Sequence, residues 1–151
     1  MNIVIPILAA ILASALTSYL TLRIRKFELL QINKIAAFKE VSTALTKLKR
    51  HCLGKVAEFE GNELSPYSAN ESSIYLCRQS LALALDENSI FLSQAGRDRL
   101  ENLINELSGL ANAELSRNIQ ENFPGIETSY LEMSNKAKSF IELLYKDLSI
   151  K

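Results

Sequence analysis

Apolar positions run without a charged interruption from Ile3 to Leu22, and Arg23, Arg25 and Lys26 follow at once. A helix rises about 1.5 Å per residue, so twenty such residues span about 30 Å, the thickness of a bilayer's hydrocarbon core. The pattern predicts a transmembrane anchor over residues 1–22 and a cytoplasmic helical domain over 23–151. No glycine or proline lies between Pro6 and Gly54, so nothing local stops the helix at a membrane surface. One heptad position takes Ala10, Thr17, Ile24, Gln31, Phe38, Leu45 and Cys52, and its companion takes Ala13, Leu20, Phe27, Lys34, Val41, Leu48 and Lys55. Apart from Gln31 and Lys34 this seam is apolar or small down to Cys52, as packing along one side requires. A single helix of roughly 75 Å is expected.

Turn formers then dominate from Glu60 to Asn70, which reads as a loop. A second helix is expected to start near Asn70 to Ser73, with Ile74, Cys77, Leu81 and Leu85 on its apolar face until Asp86-Glu87-Asn88-Ser89 breaks the pattern. Ser93 is a candidate N-cap for a third helix, whose stripe is Leu100, Leu103, Ile104, Leu107, Leu110 and Ile119 and whose end is Asn122-Phe123-Pro124-Gly125. The last helix carries Ile126, Tyr130, Met133, Ala137, Phe140, Leu144 and Leu148. Ser129 and Glu132 fit a capping box, which would start the regular helix a few residues after Gly125. No stretch alternates with period two, and no internal repeat is evident. The fold class expected is all-α: an N-terminal transmembrane helix continuing into an antiparallel four-helix bundle.

Charge adds an orientation. A secretory signal is the competing reading of the apolar run, since Ala13-Ser14-Ala15 resembles a small-residue cleavage site. Signal peptides carry positive charge before the run, whereas here three basic side chains follow it. The positive-inside rule then places the N-terminus outside and the domain in the cytoplasm, at the inner membrane. Between Arg23 and Lys55 nine Lys or Arg face two acids, and from Val56 to Lys151 eight bases face fifteen acids, so a net charge of zero hides two complementary halves. Arg23, Arg25 and Lys26 are candidates for headgroup contact. Cys52 and Cys77, isolated from each other, fit buried free thiols in a reducing compartment.

Candidate chemistry is sparse. The sole histidine, His51, adjoins Cys52, but neighbouring helix positions point about 100° apart, so they form no nucleophile–base pair; His51 is expected at the surface or boundary without a chemical role. Two cysteines and one histidine do not supply a zinc site, and no Glu-x-x-His element offers a carboxylate metal site. Glu101, Glu106, Glu114 and Glu121 read as a solvated face. The glycines at 54, 61, 96, 109 and 125 form no phosphate-binding motif, and Lys47, Lys49, Arg50 and Lys55 lack the aromatics of a nucleic-acid surface. No cofactor, metal or nucleic acid is expected, nor an enzyme.

Within the apolar run, Ala10, Ser14 and Ser18 form one small-residue ladder, and Ala9, Ala13, Thr17 and Thr21 form another. Small residues at this spacing permit close helix contact in lipid, so self-association is expected. In its sharper form, Ser14, Thr17, Ser18 and Thr21 line a pore.

The exit Arg23-Ile24-Arg25-Lys26-Phe27-Glu28, then Ile35-Ala36-Ala37-Phe38-Lys39-Glu40-Val41 and Asn88-Ser89-Ile90-Phe91-Leu92-Ser93, resembles small bacterial single-pass membrane proteins with a helical cytoplasmic domain. Some lie beside phage-defence genes. The layout is more loosely similar to membrane-anchored HEPN-like defence proteins. Active ribonucleases of that fold carry Arg-x-x-x-x-His, and here Thr46 stands five before His51, so no catalytic residue carries over. The function expected is that of a non-enzymatic, self-associating membrane protein whose domain senses or docks a cytoplasmic protein partner and whose anchor acts on the membrane; the resemblance implies that it does so as a membrane-perturbing defence effector. The alternative is a membrane-tethered adaptor that forms no pore.

Overall fold

A computed structural model describes residues 4–61, 66–67, 73–115 and 125–148 of the chain. Among them the structure is all-helical: α1 (Val4–Phe59), α2 (Ile74–Asn88), a 3-10 turn (Ser89–Phe91), α3 (Gln94–Glu114) and α4 (Ile126–Leu148). The uninterrupted α1 follows from the absence of glycine and proline between Pro6 and Gly54, and the single Gly54 does not stop it. It ends where the Glu60 amide donates to the Val56 carbonyl at 3.0 Å and Gly61 adopts φ +69°, a left-handed turn open to glycine.

Two serines start helices as their hydroxyls predict. Ser73 Oγ accepts from the Leu76 amide at 3.2 Å and Ser93 Oγ from the Gly96 amide at 3.1 Å, each satisfying a free amide of the first turn. The expected Ser129–Glu132 start of the last helix is corrected: α4 begins at Ile126. Gly125 at φ +83° turns the chain straight into the helix, and its carbonyl takes the Thr128 amide at 3.0 Å, so no hydroxyl cap is required. The expected helix start at Asn70, and Ile119 and the expected end of α3 at 122–124, lie outside the described residues.

By packing the chain divides into two units, Met1–Ile35 and Ala36–Lys151. In unit one every side chain from Ile5 to Leu30 is exposed. Its helix is long and apolar enough to cross a membrane, with mean hydropathy 1.9 over its most apolar window and none of that window buried. In unit two one hydrophobic core draws on all four helices. The stripes meet there as their spacing predicts: Phe38, Val41, Leu45, Leu48 and Cys52 from α1; Ile74, Cys77, Leu81 and Leu85 from α2; Leu100, Leu103, Ile104 and Leu107 from α3; Tyr130, Ala137, Phe140 and Leu144 from α4. The heptad frame of α1 is thus exposed from Ala10 to Phe27, half-buried at Gln31 and Lys34, and buried from Phe38 to Cys52.

Polar contacts tie the helices of unit two at their edges. Asn88 Nδ2 donates to Glu40 Oε2 at 3.1 Å, Arg78 Nε to Ser108 Oγ at 2.7 Å, and Lys136 Nζ to Glu106 Oε2 at 2.7 Å.

Candidate functional site

The densest polar chemistry of unit two gathers around a glutamate in the last turn of α3. Glu114 stands seven residues after Leu107 and fourteen after Leu100, on the buried side of its helix. His51 follows Leu48 by three on α1, and Tyr130 lies in the second turn of α4. Their helices carry both to the same carboxylate. Tyr130 donates its hydroxyl to Glu114 Oε1 at 2.6 Å, and His51 Nε2 stands 3.2 Å from the same oxygen. Oε2 accepts the Ile74 amide at 3.2 Å. That amide belongs to the first turn of α2, where the helix offers unpaired donors and a favourable field for negative charge. One carboxylate therefore touches all four helices.

An ionised carboxylate only accepts, so the ring nitrogen facing it, Nε2, carries the hydrogen. Around the cluster His51 meets Tyr130 edge-on, with centroids 6.4 Å apart, and Phe59 lies against Tyr130 at 6.0 Å. His51 is 2% exposed and Tyr130 1%.

Burial by itself would raise the Glu114 carboxyl, but the hydrogen bonds from His51, Tyr130 and the Ile74 amide outweigh it and hold the group below its ordinary value. Burial, then the bond to Glu114 and its charge, pushes the Tyr130 hydroxyl well above the usual phenol range. The Cys52 thiol is pushed up to about 12, chiefly by burial and further by Cys77 and Glu114. At neutral pH the cluster therefore holds a carboxylate among a neutral phenol and a neutral thiol. This is chemistry suited to joining helices: each donor would cost free energy if buried without its acceptor.

Two expectations are corrected here. His51 is not a surface or boundary residue but a core one, because the Glu114 carboxylate supplies its polar partner inside. Glu114 does not belong to a solvated face; Glu101 and Glu106 are exposed on α3, while Glu121 lies outside the described residues. Among the described residues no group of three or more His, Cys, Asp or Glu is placed to hold a metal ion.

The residues singled out in the apolar run are all exposed on α1: Ala10, Ser14, Thr17, Ser18 and Thr21, with Arg23, Arg25 and Lys26 beyond them. Ala10, Ser14 and Ala15 line a shallow, open hollow with Ile7 and Ile11. Thr17 and Thr21 donate their hydroxyls to the carbonyls of Ala13 and Thr17, both at 2.8 Å. Their hydrogens are thus taken within their own helix.

Grooves open on the surface of unit two among the described residues. One, of about 210 Å³, lies between α3 and α4 over Leu103 and Phe140, with the Glu106–Lys136 pair on its rim. Another, of about 420 Å³, runs between α1 and α2. No protein-family model, curated protein or solved structure matches the chain.

Proposed function

We propose that the protein is a single-pass membrane protein, anchored through residues 1–22, whose helices from 36 onward form an antiparallel four-helix bundle that docks a partner in the cytoplasm. The observation that carries this reading is the full exposure of a charge-free apolar helix. Ile5, Ile7, Leu8, Ile11, Leu12, Leu16, Leu20 and Leu22 all lie outward. Each such side chain gains about 1.5–3 kcal/mol on leaving water, about 12–24 kcal/mol for the eight together. Lipid satisfies that demand, and a helix meets the matching requirement that every backbone group be bonded internally. Arg23, Arg25 and Lys26, exposed just beyond, suit headgroups at the cytoplasmic face of the inner membrane.

The bundle arrangement is supported by bonds at both ends of α2. Asn88 at its end reaches Glu40, while Glu114 bridges Ile74 at its start to His51, so α2 runs back along α1.

The role of the anchor separates two readings, both non-enzymatic. The Thr17 and Thr21 hydroxyls give their hydrogens to their own helix and so leave no unpaired donor facing lipid, which a tether requires. The ladder of Ala10, Ser14 and Ser18 supports self-association in lipid, which a membrane-perturbing defence effector would use. An unrelated anchor of equal length in place of residues 1–22 keeps a tether fully active. A chain that depolarises cells, and loses both that effect and its assembly when Ser14, Thr17 and Ser18 become leucine, would be the effector instead.

A further inference from the structure

We infer that Tyr19, Arg23 and Lys26 form a one-sided site on α1 for the headgroup of an anionic phospholipid. The inference rests on the membrane reading above and adds which lipid the helix selects and on which side. At 100° per residue Arg23 stands about 40° from Tyr19, and Lys26 about 20° to its other side, so the three share one strip about two turns long. All three are exposed, Tyr19 by 62%. Side chains of a helix lean toward its N-terminus, which here is back toward the charge-free run. Arg23 and Lys26 therefore carry their charges over the turns that hold Tyr19 and Leu22, at the edge of the hydrocarbon. A phenol suits that depth, with its ring among acyl chains and its hydroxyl toward the polar layer. Two cations and an O–H donor match a phosphodiester, whose oxygens only accept. A zwitterionic headgroup brings a cation of its own, which the same two charges repel, so the strip favours a lipid with net negative charge.

Arg25 does not share the strip. It stands about 120° from Tyr19 and about 160° from Arg23, while Glu28 stands about 60° from Arg25 and opposite Tyr19. Both are exposed, so on that side an acid offsets the cation. The apolar run divides in the same way. Leu8, Leu12 and Leu16 are exposed within about 60° of Tyr19 and offer a path for acyl chains below the headgroup. Ala10, Ser14 and Ser18 lie about 180°, 140° and 100° away. Bulky side chains and uncompensated charge thus share one face, which suits lipid, and small residues and balanced charge share the other, which is left for a helix.

The chain holds no tryptophan, so a single introduced one reports its own surroundings. Leu16→Trp places the reporter under the strip, and Thr21→Trp places it on the opposite side, about 160° from Tyr19. With the full chain in phosphatidylcholine vesicles, quenching by phosphatidylglycerol brominated in its acyl chains is compared with quenching by brominated phosphatidylcholine. A cation at a membrane surface contributes about 1 kcal/mol, or about fivefold in binding, so the phosphatidylglycerol preference should be about 25-fold at Leu16→Trp and near one at Thr21→Trp. Arg23→Gln and Lys26→Gln should each lower the preference at Leu16→Trp by about fivefold, and Arg25→Gln should leave it unchanged. Excess inorganic phosphate at constant ionic strength should not displace the lipid; displacement would overturn the lipid as the ligand. Equal preferences at the two reporters, or equal losses from Arg25→Gln and Arg23→Gln, would overturn the inference while the quenching itself still upheld the membrane reading. Quenching by neither lipid would remove the membrane reading and the inference with it.

Discussion

Tyr130 and Glu114 meet across 2.6 Å, and through that contact α4 is fastened to a carboxylate that also holds α1 and α2. Replacing Tyr130 by phenylalanine keeps the ring against Phe59 and removes the hydroxyl. A hydrogen bond to a charged acceptor is worth about 1.5–3 kcal/mol, so Tyr130→Phe is expected to lower unfolding stability by that amount, read by denaturant titration. Combined with Glu114→Gln the two losses should fall short of their sum, since both variants act on the same bond, one by removing its donor and the other by removing the charge of its acceptor.

The depressed Glu114 carboxyl sets the pH behaviour. A group held below its ordinary value contributes stability that is fully present above that ordinary value and is lost as pH falls through its folded value. Unfolding measured between pH 7 and pH 3 should therefore show stability declining on the acid side. Glu114→Gln should flatten that decline. An unchanged slope would mean that other carboxylates carry it.

Thiol reactivity gives an independent measure of the same burial. The thiolate is the reactive form, and Cys52 is fully buried with its thiol pushed up to about 12. Both Cys52 and Cys77 should resist a disulfide reagent in the native protein and react promptly in denaturant.

Two glycines within helices should respond in opposite directions to alanine. A Cβ on Gly54 would stand 2.7 Å from the Tyr67 carbonyl oxygen, so backbone would have to shift to admit it, and Gly54→Ala should destabilise by about 1–3 kcal/mol. At Gly109 a Cβ meets nothing within 4 Å. Gly109→Ala should stabilise by up to about 1 kcal/mol through helix propensity alone, and thermal melts of the two variants should shift oppositely.

The helices and their buried stripes were legible because period and capping are local properties. Ser73, Ser93 and the apolar runs of each helix declare themselves within a few residues. The central cluster was not legible, because its bonds link positions separated by 63, 40 and 16 residues. A signal for it exists all the same. Glu114 continues the Leu100–Leu107 spacing, and His51 continues Ala44 and Leu48, so two polar residues occupy apolar registers and each requires a buried partner. A count of acids by helix, which placed Glu114 with exposed Glu101 and Glu106, passes over that register. The start of α4 was misplaced for a related reason: a left-handed glycine can do the work of a capping hydroxyl, and composition does not say which one the chain uses.

The exposed apolar helix of unit one is tested most directly by alkaline carbonate extraction of cells expressing the full chain, with the intact mass of the recovered protein. A single-pass anchor leaves the chain in the membrane pellet at its full mass. Recovery in the soluble fraction, or a mass cut short near Ala15, would contradict it, the first by showing that protein and not lipid covers the helix and the second by showing a cleaved signal.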